Sequence, residues 1–192
     1  MDVLTFTDAA AFAALVGPVI ERHPAFASVL ASNLDQTLNA PDPGAGHWYL
    51  IQDDGEPVAA AMHTRPYPLF VTPTPDPNRA MAALAEAVAD VNPGLTGVNG
   101  PVAVSRAFAA HWQRATGRRA GHSDHERLYE ITAVPDLVPA EGQARLATEA
   151  DLALAVSWAA DFSREALPHQ AGIDPEPAVR RRLARLSPPD RP

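Results

Sequence analysis

The residue pattern predicts an α/β chain, more closely an α+β mixed sheet whose first strands are mainly antiparallel and lead into a parallel βαβ step. Three observations carry this reading. One short β-prone run precedes two helical stretches, three β-prone runs then follow one another across tight turns, and helical and β-prone runs alternate from residue 78 onward.

Val3 to Phe6 is the first strand, and Thr7 or Asp8 caps a helix marked by Phe12, Leu15 and Val16. Pro24 suits the first position of a second helix, because its missing N–H is one the helix start leaves unpaired anyway. Phe26, Val29, Leu30, Leu34 and Leu38 recur at helical spacing as far as the Pro41-Asp42-Pro43-Gly44 break. Trp48 to Gln52 reads as a strand, Asp53-Asp54-Gly55 as a tight turn and Pro57 to Thr64 as the hairpin partner. Tyr67 to Thr72 gives a third strand after the Arg65-Pro66 bend. The helix from Asn78 to Val91 has one apolar face, Met81, Leu84, Ala85, Val88 and Val91, and stops at Asn92-Pro93-Gly94. A strand over Leu95 to Val98, a helix over Val102 to Ala115 and a strand over Arg127 to Val134 complete the series.

Pro135 to Glu141 reads as a linker, which predicts one domain over residues 1–139 and a second, shorter unit over 140–192. The first part holds eight Arg against fifteen acids and the second seven against eight. Beyond the linker the pattern starts again: a strand at Ala144 to Ala147, a capped helix start at Thr148 to Leu152 like the one at Thr7 to Phe12, and a further helix at Glu176 to Leu186.

Composition narrows the function classes. The 192 residues carry a net charge of −8, and all 15 basic residues are Arg. An acidic balance disfavours nucleic acid and anionic membrane as main partners, since both need a concentrated positive field. The absence of Cys removes disulfides, Cys-ligated metals and thiol nucleophiles. The most apolar stretch, Ala9 to Ile20, is too short to span a membrane and lacks the basic flank of a secretory signal, so a cytoplasmic location is the default expectation.

The run Leu95-Thr-Gly-Val-Asn-Gly-Pro101, then Phe108, Trp112 and Thr116-Gly117, then Arg127-Leu-Tyr129, and finally Arg145-Leu-Ala-Thr-Glu-Ala-Asp151 with Trp158 and Phe162, resembles actinobacterial GNAT-type N-acetyltransferases built from two tandem units. The resemblance implies a degenerate first GNAT-like unit and the opening strand and helices of a second. It implies acetyl-CoA as co-substrate and transfer of its acetyl group to a small-molecule or protein amine. It also implies a diphosphate held by backbone N–H groups at the start of the helix after the fourth strand. At that place the chain reads Val71 to Ala82 with Pro73, Pro75, Pro77 and Asp76 and no glycine. Each proline deletes a donor and the aspartate repels phosphate, so the first unit is expected not to hold the coenzyme. The second unit's coenzyme loop would fall beyond Pro192, leaving the 192-residue chain without a working one.

In the resembled family the region around Trp158, Phe162 and Glu165 borders the acceptor pocket. These three fall at spacings of four and three on one helical face, where an aromatic wall and a carboxylate would position an amine. Core packing is the simpler account of Trp158 and Phe162. No catalytic residue, coenzyme-binding residue or metal ligand is assigned. His122-Ser-Asp124-His125-Glu126 reads as a solvated loop, His63 and His111 as surface or hydrogen-bonded structural histidines, and Arg180-Arg181-Arg182 with Arg185 as the solvated face of a helix packed through Val179, Leu183 and Leu186. Ser105, Ser123 and Ser157 lack the context of a hydrolase nucleophile. The alternative to an acetyltransferase-like protein is a non-catalytic domain that forms a homodimer or holds a partner through apolar faces left open in the second unit.

Overall fold

A computed structural model describes residues 1–39, 46–133, 136, 141–166 and 174–186. The chain divides into two compact units, Met1–Ala133 and Val134–Pro192.

In the first unit, β1 (Asp2–Phe6) leads into α1 (Ala9–Arg22) and α2 (Pro24–Leu38). Asp8 caps α1 by accepting a 2.9 Å hydrogen bond from the Ala10 N–H. Pro24 opens α2, and Pro18 is tolerated inside α1. The helices are followed by β2 (Gly46–Asp53), β3 (Glu56–Thr64) and β4 (Leu69–Val71). Asp54 and Gly55 both take positive φ, 50° and 83°, the backbone of the two-residue turn whose twist matches that of the strands it joins. Then come α3 (Pro77–Val91), β5 (Val98–Asn99) and α4 (Val102–Thr116), which ends on Gly117 at φ 74°.

The five strands lie in the order β1-β2-β3-β4-β5; neighbours are antiparallel up to β4, and β5 joins β4 parallel across α3. Alternation along β2 and β3 sends side chains to opposite faces. Trp48, Leu50, Ala60 and Met62 meet Phe12, Val16, Val19, Leu30 and Leu34 of α1 and α2 on one face. Tyr49, Ile51, Ala59 and Ala61 meet Met81, Leu84 and Val88 of α3 and Phe108 of α4 on the other. A sheet covered by helices on both faces is the mixed α/β architecture the sequence predicts.

Several local expectations need correction. Residues 127–133 form no strand: Tyr129 and Ile131 are 78% and 81% exposed, and among the described residues no strand pairs with their backbone. Alternating sequence made the segment β-competent, but a strand exists only with a partner. The same holds for residues 144–147. Of the runs at Tyr67 to Thr72 and Leu95 to Val98, only Leu69 to Val71 and Val98 are strand, the latter paired on through Asn99. In α2 the packed face is Ala27, Leu30 and Leu34, whereas Phe26, Val29 and Leu38 point to solvent. The Pro41 to Gly44 break and nearly all of the linker at 135–141 lie outside the described residues.

In the second unit, a 3-10 turn (Glu149–Asp151) opens α5 (Leu152–Ala166), and α6 (Glu176–Leu186) follows. The α5 helix has no buried residue, while α6 buries Leu183. Among the described residues no helix is long and apolar enough to cross a membrane.

Candidate functional site

The helix start expected to grip a diphosphate is the N-terminus of α3, next to the end of β4. Thr72 extends the sheet there: its N–H donates to the Ala60 carbonyl and its hydroxyl accepts from the Ala60 N–H, both at 2.9 Å. Pro73, Pro75 and Pro77 interrupt the donors that follow, and the Asp76 carboxylate accepts from the Arg79 N–H at 3.1 Å. Arg79, the one cation in the first turn, pairs with Asp53 at the end of β2 at 3.2 Å. Two carboxylates therefore front a helix start that would otherwise attract an anion. Across from it the backbone closes up, since a Cβ on Gly100 would lie 2.6 Å from the Val71 carbonyl oxygen. These residues do not fit the diphosphate of acetyl-CoA.

A second polar cluster lies at the other end of α3. His63, 4% exposed, sits 3.0 Å through Nδ1 from the Nδ2 of the buried Asn92, whose Oδ1 accepts from Arg65 at 3.4 Å. Burial lowers the His63 pKa, and the nearby Arg65 and His47 add to this, against a hydrogen bond with the Tyr67 backbone. The hydroxyl of Tyr49 on β2 is buried without a hydrogen-bond partner, and burial pushes its pKa up to about 12. Both groups are held neutral inside packed structure, the arrangement of a structural histidine and a core tyrosine. On the surface, His111 is bound on both ring nitrogens, 2.9 Å from Asn78 and 3.0 Å from Arg114. His122 pairs with Asp124 at 2.8 Å on an exposed coil, and no three potential metal ligands converge among the described residues.

The second unit carries an open groove of about 310 Å³. Its polar end is built by a capping box: Asp151 accepts from the Thr148 N–H at 2.8 Å and from the Thr148 hydroxyl at 3.2 Å. The same carboxylate takes both 2.7 Å bonds of the Arg145 guanidinium. Those bonds, together with the Thr148 N–H, hold the Asp151 carboxyl well below the usual range and raise the Arg145 pKa. Leu154, Ala155 and Trp158 form the apolar wall.

Of the three residues placed at an acceptor pocket by sequence, Trp158 lines this groove. Phe162 and Glu165 do not; they continue the same face of α5 away from it. Trp158 and Phe162 are 65% and 61% exposed, so core packing does not account for them. The Arg145–Asp151 clamp was not assigned from sequence, although Thr148-x-x-Asp151 before an apolar run carries the capping-box signal. Chemically the groove binds rather than reacts. Asp151 is ionised at neutral pH with both oxygens engaged, which makes it a poor proton acceptor, and no nucleophile lines the wall.

No family model, curated protein or solved structure matches the chain.

Proposed function

We propose that the chain is a GNAT-like protein in which the first unit is a scaffold that does not bind acetyl-CoA and the second presents a binding face. Acetyl transfer from acetyl-CoA to a small-molecule or protein amine belongs to the longer tandem arrangement the sequence resembles. Within it, the Trp158 wall and the Arg145–Asp151 clamp are the acceptor side. The reading is supported by the element order of the first unit, strand, two helices, three meandering strands, helix, strand, helix. The observation that carries it is the α3 start, where Asp76 caps the helix and Asp53 takes Arg79.

Calorimetric titration of the 192-residue chain with acetyl-CoA tests this directly. No binding heat is expected, and micromolar binding with one-to-one stoichiometry overturns the proposal. A second reading, a non-catalytic domain that forms a homodimer or holds a partner, is favoured by a separate observation. Leu154, Trp158 and Phe162 leave α5 with a row of large apolar side chains at least half exposed.

A further inference from the structure

We infer that α5 docks antiparallel on α5 of a second copy of this chain, with Trp158 on the two-fold axis and Glu165 of the partner subunit closing the polar end of the groove. This rests on the second reading above and is independent of whether the chain binds acetyl-CoA.

The argument begins from the symmetry of the face. At about 100° per residue, Leu154 and Phe162 stand four positions before and after Trp158, about 40° to either side of it. Glu165 stands seven positions after, about 20° from Trp158 on the same scale, and Asp151, seven positions before in the turn that opens the helix, lines the same groove as Leu154 and Trp158. A two-fold axis through Trp158 therefore brings Leu154 level with the partner's Phe162, and Asp151 level with the partner's Glu165. Large apolar side chains meet in three consecutive layers, the knobs-into-holes spacing of antiparallel helices.

Charge complementarity selects the same register. Asp151 is not a bare anion, because it holds Arg145 bidentately, and the Arg145 side chain is 66% exposed beside it. The Glu165 carboxylate of the partner subunit thus meets a guanidinium that is already positioned. In a parallel pairing Glu165 would instead meet Glu165, a like-charge contact. Asp161, also near this face, is already neutralised by Arg164 at 2.8 Å.

The size of the face matches a reversible dimer. Aromatic side chains bury about 150–250 Å² each when fully covered. Two copies of Trp158, Phe162 and Leu154 with their surroundings give a total on the order of 1,000 Å², the lower edge of specific interfaces. An interface at that edge suits a dimer in reversible exchange with its monomer.

Sedimentation velocity of the full chain across a concentration series is the first measurement. A monomer–dimer equilibrium in the micromolar range is expected, reduced to monomer by Trp158→Glu and weakened about tenfold by Glu165→Arg, the cost of the two symmetry-related charge contacts it removes. Because α5 has no buried residue, both variants retain the wild-type circular dichroism spectrum. The native chain has no cysteine, so register is readable by cross-linking. A mixture of Leu154→Cys and Phe162→Cys chains treated with a short thiol-reactive linker gives the mixed pair in excess over either homodimer. A chain that stays monomeric across the series overturns the inference. So do homodimeric Leu154→Cys cross-links in excess, or a dimer indifferent to Trp158→Glu.

Discussion

Two regions of the molecule open with similar sequence and end in different environments. Asp8 caps α1 and Thr148 caps the turn into α5, and each capped helix is followed by a second. In the first unit the α1 stripe Ala9, Phe12, Val16 and Val19 is buried under the β2–β3 hairpin. In the second, Leu154, Trp158 and Phe162 of α5 remain half or more exposed, and none of the helix is buried. Capping and periodicity make a helix in both places. Only a complementary surface turns an amphipathic helix into core.

The largest test of this contrast is a pair of truncations. Phe12 lies 5.3 Å from the Trp48 ring and 5.8 Å from that of Phe6 and is fully buried. Phe12→Ala is expected to cost about 3–5 kcal/mol in urea unfolding of the first unit. Phe162→Ala, at a solvated position of the second, stays within about 0.5 kcal/mol for the monomer. Equal losses would mean that α5 is packed as tightly as α1.

A smaller effect is expected at the closure between β4 and the start of α4. Gly100→Ala places a methyl against the Val71 carbonyl, which is backbone and cannot swing aside. A loss of about 1–3 kcal/mol is expected from chemical denaturation, the usual range for overpacking. A neutral result would show that this end of the sheet is looser than the packing around Phe12.

The smallest effects are the acid responses, and they separate the two units by pH. The His63 pKa is lowered in the folded chain, so the unfolded chain binds the proton more readily. Stability of the first unit is full above about pH 6.5, the unperturbed histidine value, and falls as pH drops through it. His63→Gln flattens that slope in thermal melts. Asp151 is also depressed, but from the carboxylate range, so its contribution is full above about pH 4 and is lost only as pH falls further. Helicity that declines in the second unit near pH 6 would contradict this assignment.

How legible each region was follows from the range of the forces that build it. The Asp8 cap, the Asp54-Gly55 turn, the Pro24 helix start and most of the apolar faces of α1 and α3 depend on neighbours within a few residues and were readable in order. Leu15 and Val91, read as part of those faces, are instead exposed because they lie at the rim of the stripe that meets the sheet. The proline-broken approach to α3 was readable too, because donors deleted by proline are a covalent fact. Phe26 and Val29 misled because two adjacent stripes of α2 were equally apolar, and only the sheet's position chose Ala27, Leu30 and Leu34. Residues 127–133 and 144–147 misled because alternation supplies a strand's faces but not its partner.

At the candidate site, sequence named Trp158, Phe162 and Glu165 as one helical face and left the Arg145–Asp151 clamp unseen. The face follows from helical periodicity, whereas the clamp needs the coil before α5 to fold back so that a side chain six residues away meets the carboxylate.

Sequence by itself determined the helices, the caps, the cysteine-free chemistry and the loss of donors before α3, because each is set by covalent structure or by contacts a few residues apart. Tertiary structure alone decided which apolar stripe is core, which β-competent segment finds a partner, and that Asp53 holds Arg79 across 26 residues of chain. These depend on surfaces brought together from distant parts of the chain, and burial is a property of both surfaces.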